Sequence, residues 1–167
     1  MLIGLETAAL PSQDTQEVER LLHMVVVGGG PTGVELSGEL HDFLEDDLKS
    51  WYPELASKIR ITLVEALPNV LPMFSKQLIN YTESTFKESK IEILTKTMVK
   101  EVKEKSVVLQ MPDKSIKEVP CGLVVWAAVC VKVVQATSLI LISPVSGKSW
   151  SSDYPQSYGQ ISRRSDQ

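Results

Sequence analysis

Two kinds of apolar pattern alternate along the chain. Short runs that are rich in apolar residues occupy positions 22–27, 59–65, 91–94 and 123–126. Such runs are typical of parallel strands that are buried on both faces. The stretches between the first three runs place apolar residues every three or four positions, which predicts helices with one buried face. Strands that alternate with helices predict an α/β fold built on a parallel sheet.

The first predicted helix starts soon after residue 30 and ends near Tyr52, just before Pro53. The acidic residues that follow His41 fall mainly on its other faces and are interpreted as a solvated surface. His41 is also interpreted as a surface residue, because no second histidine or cysteine accompanies it at a metal-ligand spacing. The predicted apolar stripe consists of Leu36, Leu40, Phe43, Leu44, Leu48 and Trp51.

The second predicted helix has Ser75 as its N-cap and runs to about Ser89. Its predicted inner side carries Leu78, Ile79, Thr82 and Phe86.

After residue 94 the rhythm changes to short alternating stretches at 99–102, 105–110 and 115–119. The last two are separated by Pro112, Asp113 and Lys114, which form a turn signal. These stretches predict a small antiparallel meander, inserted before the last parallel strand. The predicted fold is therefore a Rossmann-like parallel sheet with an inserted antiparallel β-meander, and this combination favours flavoprotein reductases over simple dehydrogenases.

The first strand runs directly into the sequence GGGPTG, which fits the pattern G-x-G-x-x-G at Gly28, Gly30 and Gly33. Gly28 allows a sharp turn, Gly30 leaves room for a phosphate, and Gly33 lets the helix lie close to the strand. Pro31 suits the first helical turn. The remaining amides at the helix start point at the anion, so a pyrophosphate site is predicted. The predicted cofactor contacts are Gly28, Gly29, Gly30, Pro31, Thr32 and Gly33.

The second strand ends on a carboxylate, Glu65. An acidic residue at this position can accept hydrogen bonds from the adenine-ribose hydroxyls, and it would repel a 2′-phosphate. No lysine or arginine occurs within residues 66–74 to offset this charge, so NADH is favoured over NADPH. Glu65 lies 32 residues after Gly33, where about 20 is usual, and the long first helix explains the excess. The alternative is an acidic strand end that binds nothing.

From residue 5 to residue 128 the chain closely resembles the type II (alternative) NADH:ubiquinone oxidoreductases, especially mitochondrial forms from fungi. The resemblance covers about three quarters of the chain, but only the middle of a family member. It rests on the stretches LLHMVVVGGGPTGVE, GELHDFLEDDL, ITLVEALPNVLPMFSKQL and LVVWAA.

The resemblance implies the NADH domain of a flavoprotein that is similar in plan to glutathione reductase, with two dinucleotide domains. It implies that Gly28, Gly30 and Gly33 cradle the NADH pyrophosphate and that Glu65 holds the ribose. Glu35 would lie near the nicotinamide; the alternative is a solvated carboxylate favoured by the helix dipole. The implied chemistry is hydride transfer from NADH to FAD, followed by reduction of ubiquinone. The cofactors carry this reaction, so no catalytic residue and no metal site is predicted.

The resemblance also implies three segments. Residues 1–20 would be a connector from an FAD domain, residues 21–128 the NAD(H)-binding domain, and residues 129–167 a divergent tail. Val129 and Cys130 replace the glycine turn with which the family continues after LVVWAA. The serine-rich end of the tail is expected to be disordered. The family's FAD fingerprint and its C-terminal membrane anchor have no counterpart in this sequence.

Composition excludes some functions. A net charge of −4 offers no basic patch for nucleic acid or anionic lipid. Cys121 and Cys130 are too far apart for a CxxC pair, which fits a reducing compartment. No import signal opens the chain, so a location at the mitochondrial inner membrane is implied by the resemblance alone, and peripheral membrane association is expected only for full-length members. The apolar stretch 123–142 could cross a bilayer, but a strand followed by an incidental apolar tail is favoured.

Two functions from different classes stay open. The first is the NADH-binding portion of a flavin-dependent NADH:quinone oxidoreductase. The second is a truncated, catalytically inactive module that only binds NADH. A disulfide reductase has a similar architecture, but the family resemblance disfavours it.

Overall fold

The computed structural model describes residues 2–10 and 14–128. The helices are α1 (Leu2–Ala8), α2 (Thr15–Leu21), α3 (Pro31–Phe43), α4 (Lys49–Trp51), α5 (Pro53–Ala56) and α6 (Lys76–Glu88), and a π-helical turn (Leu44–Leu48) joins α3 to α4. The strands are β1 (His23–Val27), β2 (Arg60–Val64), β3 (Glu92–Leu94), β4 (Met98–Val102), β5 (Ser106–Gln110), β6 (Ile116–Pro120) and β7 (Leu123–Trp126).

The four predicted consecutive apolar strands form one parallel sheet in the order β3-β2-β1-β7. In this register Val25 of β1 lies between Thr62 of β2 and Val124 of β7. All four strands end on the same side of the sheet, so β1 and β2 bring the glycine turn and Glu65 to one edge. The predicted parallel sheet is confirmed.

The predicted meander is also confirmed, as an antiparallel sheet in the order β4-β5-β6. The turn between β5 and β6 is held by Asp113, whose Oδ1 accepts hydrogen bonds from the backbone N–H and the hydroxyl of Ser115. Lys114 takes the left-handed conformation there, with φ of 68°.

The core lies on both faces of the parallel sheet. Successive residues of a strand point to opposite faces, and β1 uses this to serve two layers. Met24 and Val26 pack with the helices, against Leu44, Leu48 and Phe86, among others. Val25 and Val27 pack with the meander, in a cluster that includes Val107, Leu109 and Cys121. The two covered faces explain why the strand reads as a continuous apolar run.

The first helix ends as predicted, since Tyr52 no longer has helical backbone angles. The prediction that Trp51 faces the core is wrong, because Trp51 is 66% exposed. Leu44, Leu48 and Tyr52 recur every four residues, whereas an α-helix completes a turn in 3.6. The π-helical turn takes up the excess, so that Tyr52 packs against the core and Trp51 points outward.

The second helix begins as predicted, with the Ser75 hydroxyl accepting a hydrogen bond from the backbone N–H of Leu78. Ile79, Thr82 and Phe86 are buried, as expected. The prediction for Leu78 is wrong, because it is 38% exposed. Its backbone closes the first turn, while its side chain lies on the outer face.

The segment predicted as a connector contains α1 and α2, and these helices contact the domain. Ala8 is buried in the helix-side core, and Val18 packs against the same core. Arg20 donates a hydrogen bond through Nη1 to the carbonyl oxygen of Cys121 at 2.9 Å, and a carboxylate on the same helix, Glu17, holds the guanidinium. The division into connector, domain and tail stays a prediction.

The predicted tail, 129–167, and most of the apolar stretch 123–142 lie outside the described residues. The first four residues of that stretch form β7. In the part of the chain that the structure describes, no helix combines the length and apolar character that crossing a membrane requires.

Candidate functional site

The site begins where β1 ends, at Gly28. This residue has φ of 112°, a conformation that residues with a side chain rarely adopt. Its N–H donates to the carbonyl oxygen of Val64, which ties the turn to β2 at 2.8 Å. A Cβ on Gly28 would lie 2.7 Å from the backbone nitrogen of Ala128. Both the backbone angle and the neighbouring chain therefore require glycine.

Gly33 lies in the first turn of α3, packed against the glycine turn. A Cβ at this position would overlap the carbonyl oxygen of Gly28, a backbone atom that cannot easily move away. The absence of a side chain thus lets the start of α3 lie directly against the turn.

The turn opens to the surface between these two points. Gly30 is half-buried and is the N-cap of α3, with Pro31 as the first helical residue. A Cβ on Gly30 would meet nothing within 4 Å, and Pro31 and Thr32 are exposed. The amides of Thr32 and Gly33 have no intrahelical acceptor, as in any first helical turn. The arrangement is an open space lined by helix-start amides, which suits an anion.

Glu65 closes the other side of the turn and is buried, at 9% exposure. Its Oε2 accepts a hydrogen bond from the N–H of Gly29, and its Oε1 accepts one from the N–H of Leu67 at 2.7 Å. A Cβ on Gly29 would lie 2.9 Å from Oε2 and 3.0 Å from Cβ and Cγ of Glu65. The structure therefore brings Glu65 into direct contact with the middle of the glycine turn.

The chain beyond Glu65 returns to the same turn. The N–H of Leu71 donates to the carbonyl oxygen of Gly29 at 2.7 Å, and Val70 and Leu71 are buried. Leu71 adopts a positive φ of 49° to make this contact. The Gly29 residue is thus held through both its N–H and its C=O. Sequence reasoning missed this contact, although the middle glycine of GGG, Gly29, at a variable position of the pattern, was a signal for it.

Glu35 lies apart from this cluster. It is the fifth residue of α3, and its side chain is exposed. Its carboxylate has no hydrogen bond or ion pair with another described residue. The structure therefore brings the glycine turn and Glu65 together, whereas it places Glu35 on the exposed surface of α3.

An open surface cavity of about 490 Å³ lies elsewhere, between the end of α6 and β3. It is lined by residues such as Glu83, Lys87 and Ile91, and it contains none of the glycine-turn residues. Ligands of open α/β sheets bind outside the carboxyl ends of the strands, whereas the lining of this cavity follows the edge strand β3 from Lys90 to Thr95. In residues 2–10 and 14–128 no group of three or more histidine, cysteine or acidic side chains is placed to hold a metal ion.

Comparisons with known proteins agree with this geometry. A family model described as pyridine nucleotide-disulphide oxidoreductase matches residues 4–132. The external alternative NADH-ubiquinone oxidoreductase of Yarrowia lipolytica mitochondria is 56% identical over 119 residues, which are 69% of this chain and 20% of that protein. A probable mitochondrial NADH-ubiquinone oxidoreductase of Schizosaccharomyces pombe is 53% identical over 117 residues, covering 68% of this chain and 21% of that protein. The chain therefore spans about a fifth of the length of these relatives.

Among solved structures, NDH2 from Plasmodium falciparum in complex with NADH is similar, with a TM-score of 0.73 and 35% identity. The match covers 76% of this chain and 26% of that protein. The predicted resemblance to NADH-ubiquinone oxidoreductases is confirmed by these comparisons.

Proposed function

Because this chain belongs to the pyridine nucleotide-disulphide oxidoreductase family, we propose that its glycine turn binds the pyrophosphate of NADH. One observation carries the proposal: the open space at Gly30, at the start of α3. There the helix-start amides and the positive end of the helix dipole face outward, and both favour a bound anion. The contacts proposed for the pyrophosphate come from residues 28–33.

In this proposal Glu65 makes the site prefer NADH to NADPH. Its carboxylate lies at the edge of the turn, where the adenine ribose of a bound dinucleotide would pass. Each carboxylate oxygen offers two acceptor sites, and the structure uses one on each for Gly29 and Leu67. The remaining acceptor sites can take ribose hydroxyls. A 2′-phosphate would instead bring negative charge next to negative charge.

We propose further that the chain is the NADH-binding part of a mitochondrial NADH:ubiquinone oxidoreductase. In that proposal NADH and FAD, when bound to the full enzyme, would supply the hydride-transfer chemistry by which ubiquinone would be reduced. The role of this chain is to bind and orient the NADH, with Glu35 near the nicotinamide end. Association with the inner mitochondrial membrane is proposed for the full-length enzyme.

FAD does not fit a second site within the described residues. FAD also carries a pyrophosphate, and the only G-x-G-x-x-G pattern in the sequence is the one at residues 28–33. The flavin would therefore be held by polypeptide other than residues 2–10 and 14–128. This observation favours the second candidate function, in which the chain alone binds NADH and does not turn it over.

A fluorescence titration tests the binding proposal. Purified 167-residue chain, with its fold checked by circular dichroism, is titrated with NADH and separately with NADPH. Saturable binding with NADH as the tighter ligand is expected, and Glu65→Gln should narrow the preference because it removes the repelling charge. A folded chain that binds neither nucleotide would contradict the proposal.

Colour and activity separate the two candidate functions. The chain alone should be colourless and should not reduce a soluble quinone with NADH if it is only a binding module. Yellow protein that carries FAD and reduces the quinone would instead establish a flavin site in this chain.

A further inference from the structure

We propose that Glu65 is a positioning residue, which shapes the phosphate turn before any nucleotide binds. This role differs from contact with the ribose, because it acts on the protein's own backbone. The structural part of the proposal concerns the ligand-free protein. Its consequence for affinity rests on the proposed binding of NADH.

The Glu65 carboxylate makes two hydrogen bonds to the protein backbone. Its two carboxylate oxygens accept from two backbone amides, those of Gly29 and Leu67. Hydrogen bonds to an ionised acceptor are stronger than those between neutral groups, and burial strengthens them further. Glu65 is buried at the end of β2, whose backbone is fixed in the sheet. A residue anchored at the end of a sheet strand thus fixes the conformation of a glycine-rich turn, whose backbone could otherwise adopt several conformations.

Glu65 is also in direct contact with Gly29. A glycine at the middle position of a G-x-G pattern is not required by the pattern itself. Here a Cβ would lie 2.9–3.0 Å from three side-chain atoms of Glu65, so any side chain at position 29 would have to displace Glu65. The side chain of Glu65 occupies the space that a residue 29 side chain would take. The two positions therefore form one structural unit.

The N–H groups of the adjacent residues Gly29 and Gly30 differ in their hydrogen-bond partners. The N–H of Gly29 is directed to Glu65, and its C=O accepts from Leu71. The N–H of Gly30 has no protein acceptor among residues 2–10 and 14–128. With Gly29 held in this way, Gly30 presents its amide to the open space in advance. The phosphate contacts are thereby assigned to Gly30 and the first turn of α3, and Gly29 serves as the anchor.

Amide hydrogen exchange in the ligand-free chain tests the structural part directly. The Gly29 amide should exchange at least about tenfold more slowly than the Gly30 amide, because only the first has a protein acceptor. This measurement on the native sequence needs no variant. Equal exchange at the two glycines would overturn the proposal.

Substitution at Glu65 tests which side chain is responsible. Glu65→Ala removes both acceptors, so the protection of the Gly29 and Leu67 amides should fall by about tenfold or more. Glu65→Gln keeps the shape but leaves one oxygen, so only one of these amides should keep its protection. Glu101→Gln, an exposed glutamate of the meander, is the matched control and should change neither amide. Unchanged protection in Glu65→Ala would refute the positioning role.

A double-mutant cycle gives an independent test, which stays informative even where the single variants are less stable than the native protein. Gly29→Ala forces the Glu65 side chain aside, so it should reproduce much of the effect of Glu65→Ala. The double variant should then unfold at nearly the same urea concentration as the more damaged single variant. Additive shifts in the midpoint would contradict a shared unit.

Nucleotide binding distinguishes this proposal from the proposed function. If the chain shows the amide protection but does not bind NADH, the positioning role stands and the proposed function fails. If the chain binds NADH while Glu65→Ala leaves the amides protected, the proposed function stands and the positioning role fails.

Discussion

The two ends of β1 handle buried polar groups in opposite ways. At the amino end, His23 is 2% exposed and lies within hydrogen-bond distance of two partners. Its Nδ1 donates to the carbonyl oxygen of Pro120 at 2.8 Å, and its Nε2 lies 2.8 Å from the hydroxyl oxygen of Thr62. At the carboxyl end, the amide of Gly30 has no acceptor among the described residues, and a Cβ on Gly30 would meet nothing within 4 Å. The first end is closed by the protein, and the second is where we propose that NADH binds.

The difference separates a structural polar cluster from a binding site. Among the described residues, no buried side-chain nitrogen or oxygen lacks a hydrogen-bond partner. The first-turn amides of α3, by contrast, have no intrahelical acceptor. A buried histidine attracts attention in a sequence, but in this fold it stabilises the sheet. The glycines, which have no functional group, form the turn at which we propose that NADH binds.

At the carboxyl end of β1, substitution of Gly33 is expected to have the largest effect on stability and binding. Gly33→Ala places a Cβ on the Gly28 carbonyl oxygen, and we expect a loss of stability of about 1–3 kcal/mol or more together with loss of NADH binding. Urea unfolding and nucleotide titration measure the two effects.

Gly38→Ala is the matched control for that variant, because it lies in the same helix with nothing within 4 Å of its Cβ. It should raise stability by up to about 1 kcal/mol through the higher helix propensity of alanine, and it should leave binding unchanged. Equal effects of the two substitutions would mean that Gly33 is not a contact point between helix and turn.

The amino end can be broken at His23 without touching the turn. His23→Leu leaves the Pro120 carbonyl and the Thr62 hydroxyl without this partner, and a cost of about 1–3 kcal/mol in unfolding free energy is expected. NADH affinity of the folded fraction should not change, because β1 separates the two ends. A large loss of affinity in this variant would show that the two ends are coupled.

The contribution of His23 to stability should also depend on pH. Burial lowers the pKa of His23 below its ordinary value of 6.5, and this effect outweighs the hydrogen bond to Pro120; Arg60 and Lys117 also lower it, whereas Glu92 raises it. The unfolded chain therefore binds a proton more readily than the folded chain. The contribution of His23 to the free energy of unfolding should be fully present above pH 6.5. It should decline as the pH falls from 6.5 towards the lower pKa that His23 has in the folded protein.

The difference in unfolding free energy between native protein and His23→Leu, measured by urea titration at several pH values, isolates this effect from that of the carboxylates. The difference should shrink as the pH falls below 6.5. A difference that stays constant from pH 7 to acid would contradict a depressed histidine pKa.

The smallest expected effect concerns a helix start that the protein closes itself. Ser75 caps α6 with its own hydroxyl, whereas Gly30, the N-cap of α3, has no side chain to do so. Ser75→Ala should cost about 1 kcal/mol in thermal or urea unfolding, and Ser75→Asp should retain most of the stability. No change in Ser75→Ala would mean that the cap is not needed.

Much of the fold could be predicted because apolar runs and turn residues determine it locally. The four parallel strands, the meander and the Ser75 cap follow from such patterns. The π-helical turn could not be predicted from a 3.6-residue period, and it reversed the prediction for Trp51. The contact of Glu65 with Gly29 joins residues that are 36 positions apart, so it depends on the alignment of β1 with β2. Sequence pattern identified these residues, and only the structure connects them.

The central claim is that NADH binds at the glycine turn. Its most direct test is a titration of the isotopically labelled 167-residue chain with NADH, followed by the amide resonances in nuclear magnetic resonance spectra. Saturable shifts are expected for Gly30, Thr32 and Gly33, with Gly38 and the His23 end of β1 unaffected. Shifts confined to the cavity between α6 and β3, or no shifts in a folded chain, would contradict the account.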